Sequence, residues 1–257
     1  MHFYKYQGTG NDFVVVDDRA KTFNLNQEGI ALLCHRRFGI GADGLMLLQE
    51  AEGYDFKMVY FNSDGNQSTM CGNGGRCLVA FAKKLNIIEN KASFMAIDGL
   101  HHATISEDNS VSLQMKDVDS IKSEINYTFL NTGSPHHIEM VSTISKVEVK
   151  TEGAAIRYGT LYGSAGANVN FVEQIYEDTF SIRTYERGVE DETLSCGTGA
   201  TAVAIAMNFI GKTNSNSIKI NVQGGKLEVS FDKNDSLYSN VILKGPATFV
   251  FQGKINI

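Results

Sequence analysis

Apolar and polar positions change period several times along this chain, and each change marks an element. Phe13-Val14-Val15-Val16-Asp17 is a β-branched run that reads as a strand, and over 26–38 the positions Ile30, Leu33, Cys34 and Phe38 recur at helical spacing. The turn Gly39-Ile40-Gly41-Ala42-Asp43-Gly44 opens into an apolar run over 45–48, and 56–61 is a further strand. Over 75–85 the stripe Cys77, Leu78, Phe81 and Leu85 predicts a helix buried along one face. Short strands follow over 93–97, 103–106 and 111–115, set off by Gly and Asp-Asn turns. The later part repeats this order: a helix around 152–158, strands over 168–175 and 179–185, a helix over 198–210, and strands over 218–222, 226–231 and 241–243. The helix over 198–210 is apolar nearly all round, through Val203-Ala204-Ile205-Ala206-Met207, and belongs at the centre of its lobe.

The repetition has a register. Cys71-Gly72-Asn73-Gly74 and Cys196-Gly197-Thr198-Gly199 each lead into an alanine-rich apolar helix at an offset of 125, the difference between 196 and 71. The same offset pairs Gly41-Ala42 with Gly166-Ala167, Tyr60 with Tyr185, and Gly99 with Gly224. A period this long is two copies of a domain, since solenoid repeats run about 20–50 residues. The expected fold is therefore α+β, with two pseudo-symmetric lobes, each a curled, mostly antiparallel β-sheet or barrel around a central α-helix. The polar stretch Asp117–Glu124 puts the boundary near residue 120: lobe 1–120 carries Cys71 and lobe 121–257 carries Cys196, and the last strand could return to the N-terminal lobe.

Composition narrows the function classes. The chain has 257 residues, 42% hydrophobic and 20% charged, with 2 Pro and no Trp, which is the balance of an ordinary globular protein. A formal net charge of -6 argues against nucleic-acid and anionic-membrane partners and favours a small molecule. No charged segment followed by an apolar core opens the chain, and no stretch approaches the roughly 20 apolar residues that span a bilayer, so a cytoplasmic protein is expected. The 4 Cys, at 34, 71, 77 and 196, are too few and scattered for a disulfide framework and read as reduced thiols.

Cys71 and Cys196 stand where a helix begins, so unpaired N–H groups and the positive dipole end favour an anion and lower a thiol from its usual pKa of about 8.5. The N–H groups of Gly72-Asn73 and Gly197-Thr198 can also receive a substrate carboxylate and the enolate-like charge that develops when the adjacent carbon loses its proton. Gly72, Gly74, Gly197 and Gly199 leave room for that approach. One thiol on either face of a carbon inverts a stereocentre with no cofactor and no metal: one thiolate takes a proton and the opposite thiol returns one. Cys34 and Cys77 lie on apolar helix faces without counterparts and read as small core residues.

The motifs Thr9-Gly10-Asn11-Asp12-Phe13, Gly41-Ala42-Asp43-Gly44, Phe61-Asn62-Ser63-Asp64-Gly65, Met70-Cys71-Gly72-Asn73-Gly74-Gly75-Arg76-Cys77, Asn168-Val169-Asn170-Phe171, Tyr185-Glu186-Arg187-Gly188 and Cys196-Gly197-Thr198-Gly199 resemble the diaminopimelate epimerase family, in order and along nearly the whole chain. Proline racemases and related isomerases share the two-lobed fold, but the Phe-Asn-x-Asp-Gly and Tyr-Glu-Arg-Gly motifs favour the epimerases. The resemblance implies interconversion of LL- and meso-diaminopimelate in the lysine and peptidoglycan precursor pathway, by a homodimer without cofactor. It implies Cys71 and Cys196 as the acid–base pair, with Asn11, Asn62, Asn168 and Arg187 on the substrate's distal amino-acid end and Glu186 and His136 lining the reacting centre. Ser134 stands where the family often has Asn, and Gly44 where some members have Gln.

Without the resemblance, Asn11 and Asn62 are equally turn formers beside glycine, Arg187 a solvated ion-pair partner, and His136 and His137 capped loop histidines. Three other functions are open to the same residues. A proline or hydroxyproline racemase would use the same thiols without a distal clamp. A metal or redox site could draw on Cys34-His35, Cys71 with Cys77, and the pairs His101-His102 and His136-His137, although no C-x2-C or H-x3-H spacing occurs. A pure binding module would exchange no substrate proton with solvent.

Overall fold

A computed structural model gives the fold of residues 1–256, which divide into two compact units: Met1–Leu113 with residues 245–256, and Gln114–Lys244. In chain order the elements are β1 (His2–Gly8), β2 (Asn11–Asp17), α1 (Gln27–Cys34), β3 (Gly44–Ala51), β4 (Tyr54–Asn62), α2 (Gly72–Lys84), β5 (Lys91–Ala96), β6 (Gly99–Ile105) and β7 (Ser110–Gln114). There follow β8 (Ile121–Ser123), β9 (Thr128–Asn131), β10 (Pro135–Met140), α3 (Val149–Arg157), β11 (Asn168–Tyr176), β12 (Thr179–Glu186), β13 (Asp191–Thr193), α4 (Gly197–Phe209), β14 (Ser217–Val222), β15 (Gly225–Asn234), β16 (Leu237–Pro246) and β17 (Thr248–Lys254).

The duplication is a duplication of topology. In the first unit the ladder runs β17-β1-β2-β3-β4-β5-β6-β7, and its successive pairings are antiparallel, antiparallel, parallel, antiparallel, parallel, antiparallel, antiparallel. The second unit runs β8-β9-β10-β11-β12-β14-β15-β16 with the same seven senses in the same order, and β13 pairs with β12. The copies differ in the source of their first strand. In the second unit it is β8, immediately before β9, whereas in the first it is β17, from the far end of the chain. Each parallel step needs a crossover, and a helix supplies it: α1 and α2 in the first unit, α3 and α4 in the second.

Two helices per unit take two faces. In the first unit Ile30, Leu33 and Cys34 of α1 pack on Val14, Val16, Leu45 and Leu47, and in the second Val149 of α3 packs with Val169, Phe171 and Tyr185. The opposite face is filled by α2, which touches β17, β1, β2, β3, β4 and β6, and by α4, which touches β9, β10, β11, β14 and β15. A helix that meets strands so far apart in the ladder requires the sheet to curl around it, and the ladder ends, β17 and β7, do not pair with each other. The predicted helix over 26–38 is shorter than expected. It stops at Cys34 because the His35 ring accepts the N–H groups of Arg37 and Phe38 at 3.1 Å each, turning the chain and leaving Phe38 exposed. No helix among the described residues is long and apolar enough to cross a membrane.

Candidate active site

Cys71 and Cys196 are the N-cap residues of α2 and α4, both in extended backbone conformation. The helices open with the N–H of Gly75 donating to the Cys71 carbonyl at 2.7 Å and that of Ala200 to the Cys196 carbonyl at 2.9 Å. The helix N–H groups ahead of these belong to Gly72, Asn73 and Gly74, and to Gly197, Thr198 and Gly199, which have no intrahelical acceptor at a helix start. Glycine at 199 is required by space, since a Cβ there would sit 2.5 Å from Asn170 Oδ1, whereas one at Gly74 would sit 3.0 Å from Met46 Sδ on a flexible side chain.

In the first unit, amides run outward from α2. Fully buried Arg76 donates to Asn73 Oδ1 at 2.9 Å, Asn73 Nδ2 donates to Asn11 Oδ1, and Asn11 Nδ2 donates to Asp43 Oδ2 at 3.0 Å. A guanidinium at one end and a carboxylate at the other leave both amides a single orientation. Arg36 clamps the acidic end, donating to both oxygens of Asp12 at 3.0 and 2.8 Å and to Asp43 at 2.7 Å, while Lys5 pairs with Asp12 at 2.7 Å. Burial would raise the Asp12 carboxyl, but hydrogen bonds from Arg36 and Lys5 overcome it and hold the group at about 2. Asn62 ends β4 with its backbone N–H donating to the Asn66 carbonyl and its own carbonyl accepting from Gly65, and its side chain is exposed. Gly44 is dictated by packing, since a Cβ there would lie 2.5 Å from the Tyr60 ring.

In the second unit a polar chain leads away from Cys196. Its Sγ lies 3.5 Å from Thr198 Oγ1, Thr198 Oγ1 lies 3.0 Å from His136 Nε2, and His136 Nδ1 lies 3.2 Å from Asn170 Nδ2. Asn170 also donates to the His137 carbonyl at 2.9 Å and accepts from the Thr184 hydroxyl at 3.0 Å. His136 is completely buried, and burial, with a smaller contribution from Arg187, pushes its pKa down to about 3. Both His136 and His137 lie on β10, so neither is a loop histidine. Asn168 Oδ1 accepts the backbone N–H of Arg187 at 2.9 Å while its Nδ2 donates to Ser134 Oγ at 2.8 Å and the Pro135 carbonyl at 2.9 Å. Ser134, the departure noted above, thus orients Asn168. Arg187 Nη1 donates to the Ala165 carbonyl at 3.2 Å, and Glu186 Oε2 accepts from the Thr193 hydroxyl at 2.9 Å.

The offset of 125 relates the two half-sites residue by residue: Cys71 to Cys196, Gly72 to Gly197, Asn73 to Thr198, Asn11 to His136 and Asn62 to Arg187. The Asn11–Asn73 hydrogen bond of one unit and the His136–Thr198 hydrogen bond of the other are one contact carrying different chemistry. Asp43, Arg76 and Asn170, which the sequence motifs contain without assigning them a role, and Thr184, which no motif contains, complete these networks. Asn170 was within reach, because it follows Asn168 by two on a strand and so shares its face. Cys34 and Cys77 are buried thiols that burial raises to about 11 and about 12. Among the described residues, no three of His, Cys, Asp and Glu converge as metal ligands.

The fold is one shared with solved proteins of the phenazine biosynthesis and hydroxyproline epimerase groups. A phenazine biosynthesis protein of the PhzF family from Bacillus anthracis superposes with a TM-score of 0.78 at 14% identity, covering 100% of this chain and 99% of that one. A hydroxyproline epimerase from Agrobacterium vitis superposes with a TM-score of 0.69 at 15% identity, covering 98% and 91%. Sequence resolves the class further. The diaminopimelate epimerase family matches residues 3–121 and 128–250, and diaminopimelate epimerases of Flavobacterium psychrophilum and Chlorobaculum tepidum are 66% and 42% identical, covering 99% and 97% of this chain and 100% and 99% of their own. The chain belongs to the diaminopimelate epimerase family, and it is an isomerase.

Proposed function

We propose that the protein interconverts LL- and meso-diaminopimelate, a lysine precursor, by proton transfer at the α-carbon between Cys71 and Cys196, in the cytoplasm, as a homodimer and without a cofactor. The observation that carries this reading is the pair of equivalent N-cap cysteines, each on a glycine-opened helix start with ordered polar neighbours. One thiolate takes the α-proton and becomes S–H, the charge left on carbon delocalises into the substrate carboxylate beside helix N–H groups, and the opposite thiol gives its proton to the other face. Gly72, Asn73, Gly197 and Thr198 supply N–H groups to that carboxylate, Glu186 and His136 line the reacting centre, and Asn11, Asn62, Asn168 and Arg187 bind the distal amino-acid end.

Incubating the protein with LL-diaminopimelate in heavy water tests the reading. Meso product should appear with one deuterium at the inverted carbon. Absence of both inversion and exchange would refute it, and equal turnover of proline would place the protein with the racemases instead.

A further inference from the structure

Arg76 is a fully buried cation whose partners are neutral. Its Nη2 donates to Thr9 Oγ1 at 3.1 Å and to Asn73 Oδ1 at 2.9 Å, its Nε to the Pro246 carbonyl at 3.4 Å, and its Nη1 to the Gly72 carbonyl at 3.5 Å. Among the described residues no carboxylate forms an ion pair with it. An arginine stays protonated even so, and a buried charge without a counter-charge is unfavourable, so the site invites an anion. Two thiols are close enough to interact with it electrostatically, Cys77 and Cys71. Cys77 is completely buried and stays neutral. Cys71 is half-buried, at the helix N-terminus, where N–H groups add to the same field.

The second unit lacks this charge. At the position equivalent to Arg76 stands Thr201, fully buried, whose hydroxyl donates to the Gly197 carbonyl at 3.0 Å. We infer that Arg76 is a positioning residue that holds Cys71 as a thiolate in the resting enzyme, making the first half-site the standing base and the second the standing acid. This deepens the proposed function and rests on Cys71 acting as base.

Other charges packed against α2 do not supply the field. On β1, Lys5 is committed to Asp12 of β2, and burial raises the Tyr6 hydroxyl and keeps it neutral. On β6, His101 pairs with Asp98 at 3.1 Å, and Asp98 also accepts the Met70 N–H, an anion that would oppose a Cys71 thiolate. Tyr60 is the half-buried titratable group of β4, while Glu50 of β3, Asp55 and Lys57 of β4 and Lys254 of β17 are exposed. Lys83 and Lys84 lie at the far end of α2. On the polar chain that leads from Cys196 through Thr198 the ionisable group is His136, neutral through burial, and the charge that acts on His136 is Arg187.

The test is alkylation of each cysteine by iodoacetamide as a function of pH, read peptide by peptide by mass spectrometry, in the full-length wild type, Arg76→Met and Arg76→Lys. In the wild type, Cys71 should titrate at lower pH than Cys196. Arg76→Met should raise the Cys71 midpoint by about 1–2 pH units, the effect of removing a close opposite charge, and leave Cys196 in place. Arg76→Lys keeps the charge and should keep the low midpoint. The inference is overturned if Cys71 titrates at or above Cys196, or if Met and Lys shift it equally, since Arg76 would then act only through packing. The wild-type comparison decides even where Arg76→Met does not fold. Because alkylation needs no substrate, its outcome is separate from the heavy-water assay, whose failure would refute the epimerase reading alone.

Discussion

His136 Nε2 and Thr198 Oγ1 lie 3.0 Å apart, and the direction of that hydrogen bond is set two residues away. Asn170 Nδ2 is held on the His137 carbonyl, which can only accept, so this nitrogen also donates to His136 Nδ1. The imidazole, kept neutral by burial, must then carry its proton on Nε2 and donate it to Thr198. The Thr198 hydroxyl is left to donate toward Cys196 Sγ at 3.5 Å. Replacing Thr198 by Val removes that donor at nearly constant volume. A hydrogen bond to a charged group contributes about 1.5–3 kcal/mol, so kcat should fall roughly 10- to 100-fold with little change in KM. Steady-state kinetics check this, and wild-type kcat in Thr198→Val would exclude a role for the hydroxyl in turnover.

Cys71→Ala and Cys196→Ala should each abolish epimerisation and leave the fold intact. Neither side chain makes a capping hydrogen bond to its helix, so truncation removes the thiol without uncapping α2 or α4. Circular dichroism reports the fold and racemate analysis the activity. Near wild-type turnover in either variant would mean that one thiol suffices.

Acid should destabilise the protein in two windows. Burial lowers His136 to about 3 and His137 to about 4 from an ordinary 6.5, so between those values and 6.5 the unfolded chain binds more protons than the folded one. Stability is therefore fully present above about pH 6.5 and declines as pH falls toward 4. Asp12, held at about 2 against an ordinary 3.8, adds a second loss only below pH 3.8. Tm measured from pH 7.5 to 3 should show the first decline, and His137→Gln, which cannot titrate, should flatten it. A Tm that is level between pH 6.5 and 4 would contradict the burial of these rings as neutral groups.

The two helix starts were legible because Cys-Gly-x-Gly before an apolar run is a local signal, and the repeat of 125 residues links them. The strands of the repeated unit that carry mixed or polar sequence were not. β1 reads His-Phe-Tyr-Lys-Tyr-Gln-Gly and β8 is only Ile-Lys-Ser, and neither has a clean alternation. β17 stays largely exposed, and its place beside β1 is a pairing across nearly the whole chain that no local pattern encodes. The histidine pair after Pro135 looked like loop chemistry because turn residues precede it. Burial on β10 comes from tertiary partners: Tyr127 stacks on His137 at 4.8 Å, and Tyr162 Oη lies 2.7 Å from its Nδ1. Arg76 was hidden for a similar reason, since an arginine in a helix reads as solvated until the strands that enclose it are known.

Gly74 and Gly199 are equivalent by sequence, but alanine should be tolerated at one and not at the other. At Gly74 the added methyl meets Met46 Sδ at 3.0 Å and Met58 Cε at 3.5 Å, both far ends of flexible side chains that can move by a few tenths of an ångström. At Gly199 it meets Asn170 Oδ1 at 2.5 Å and Cys196 Cβ and Sγ at 3.3 Å each. Asn170 cannot retreat without breaking its bonds to Thr184, His136 and the His137 carbonyl, all of them buried. Overpacking of this kind costs about 1–3 kcal/mol, and here the strain falls on the network that orients His136 and on the reacting sulfur itself. Gly199→Ala should therefore lower both Tm and kcat, the latter by tenfold or more on the order of the same energy, whereas Gly74→Ala should keep near wild-type values of both. Thermal melts and kcat for the two variants side by side decide the matter: equal effects at 74 and 199 would mean that the Asn170 network does not constrain the second half-site.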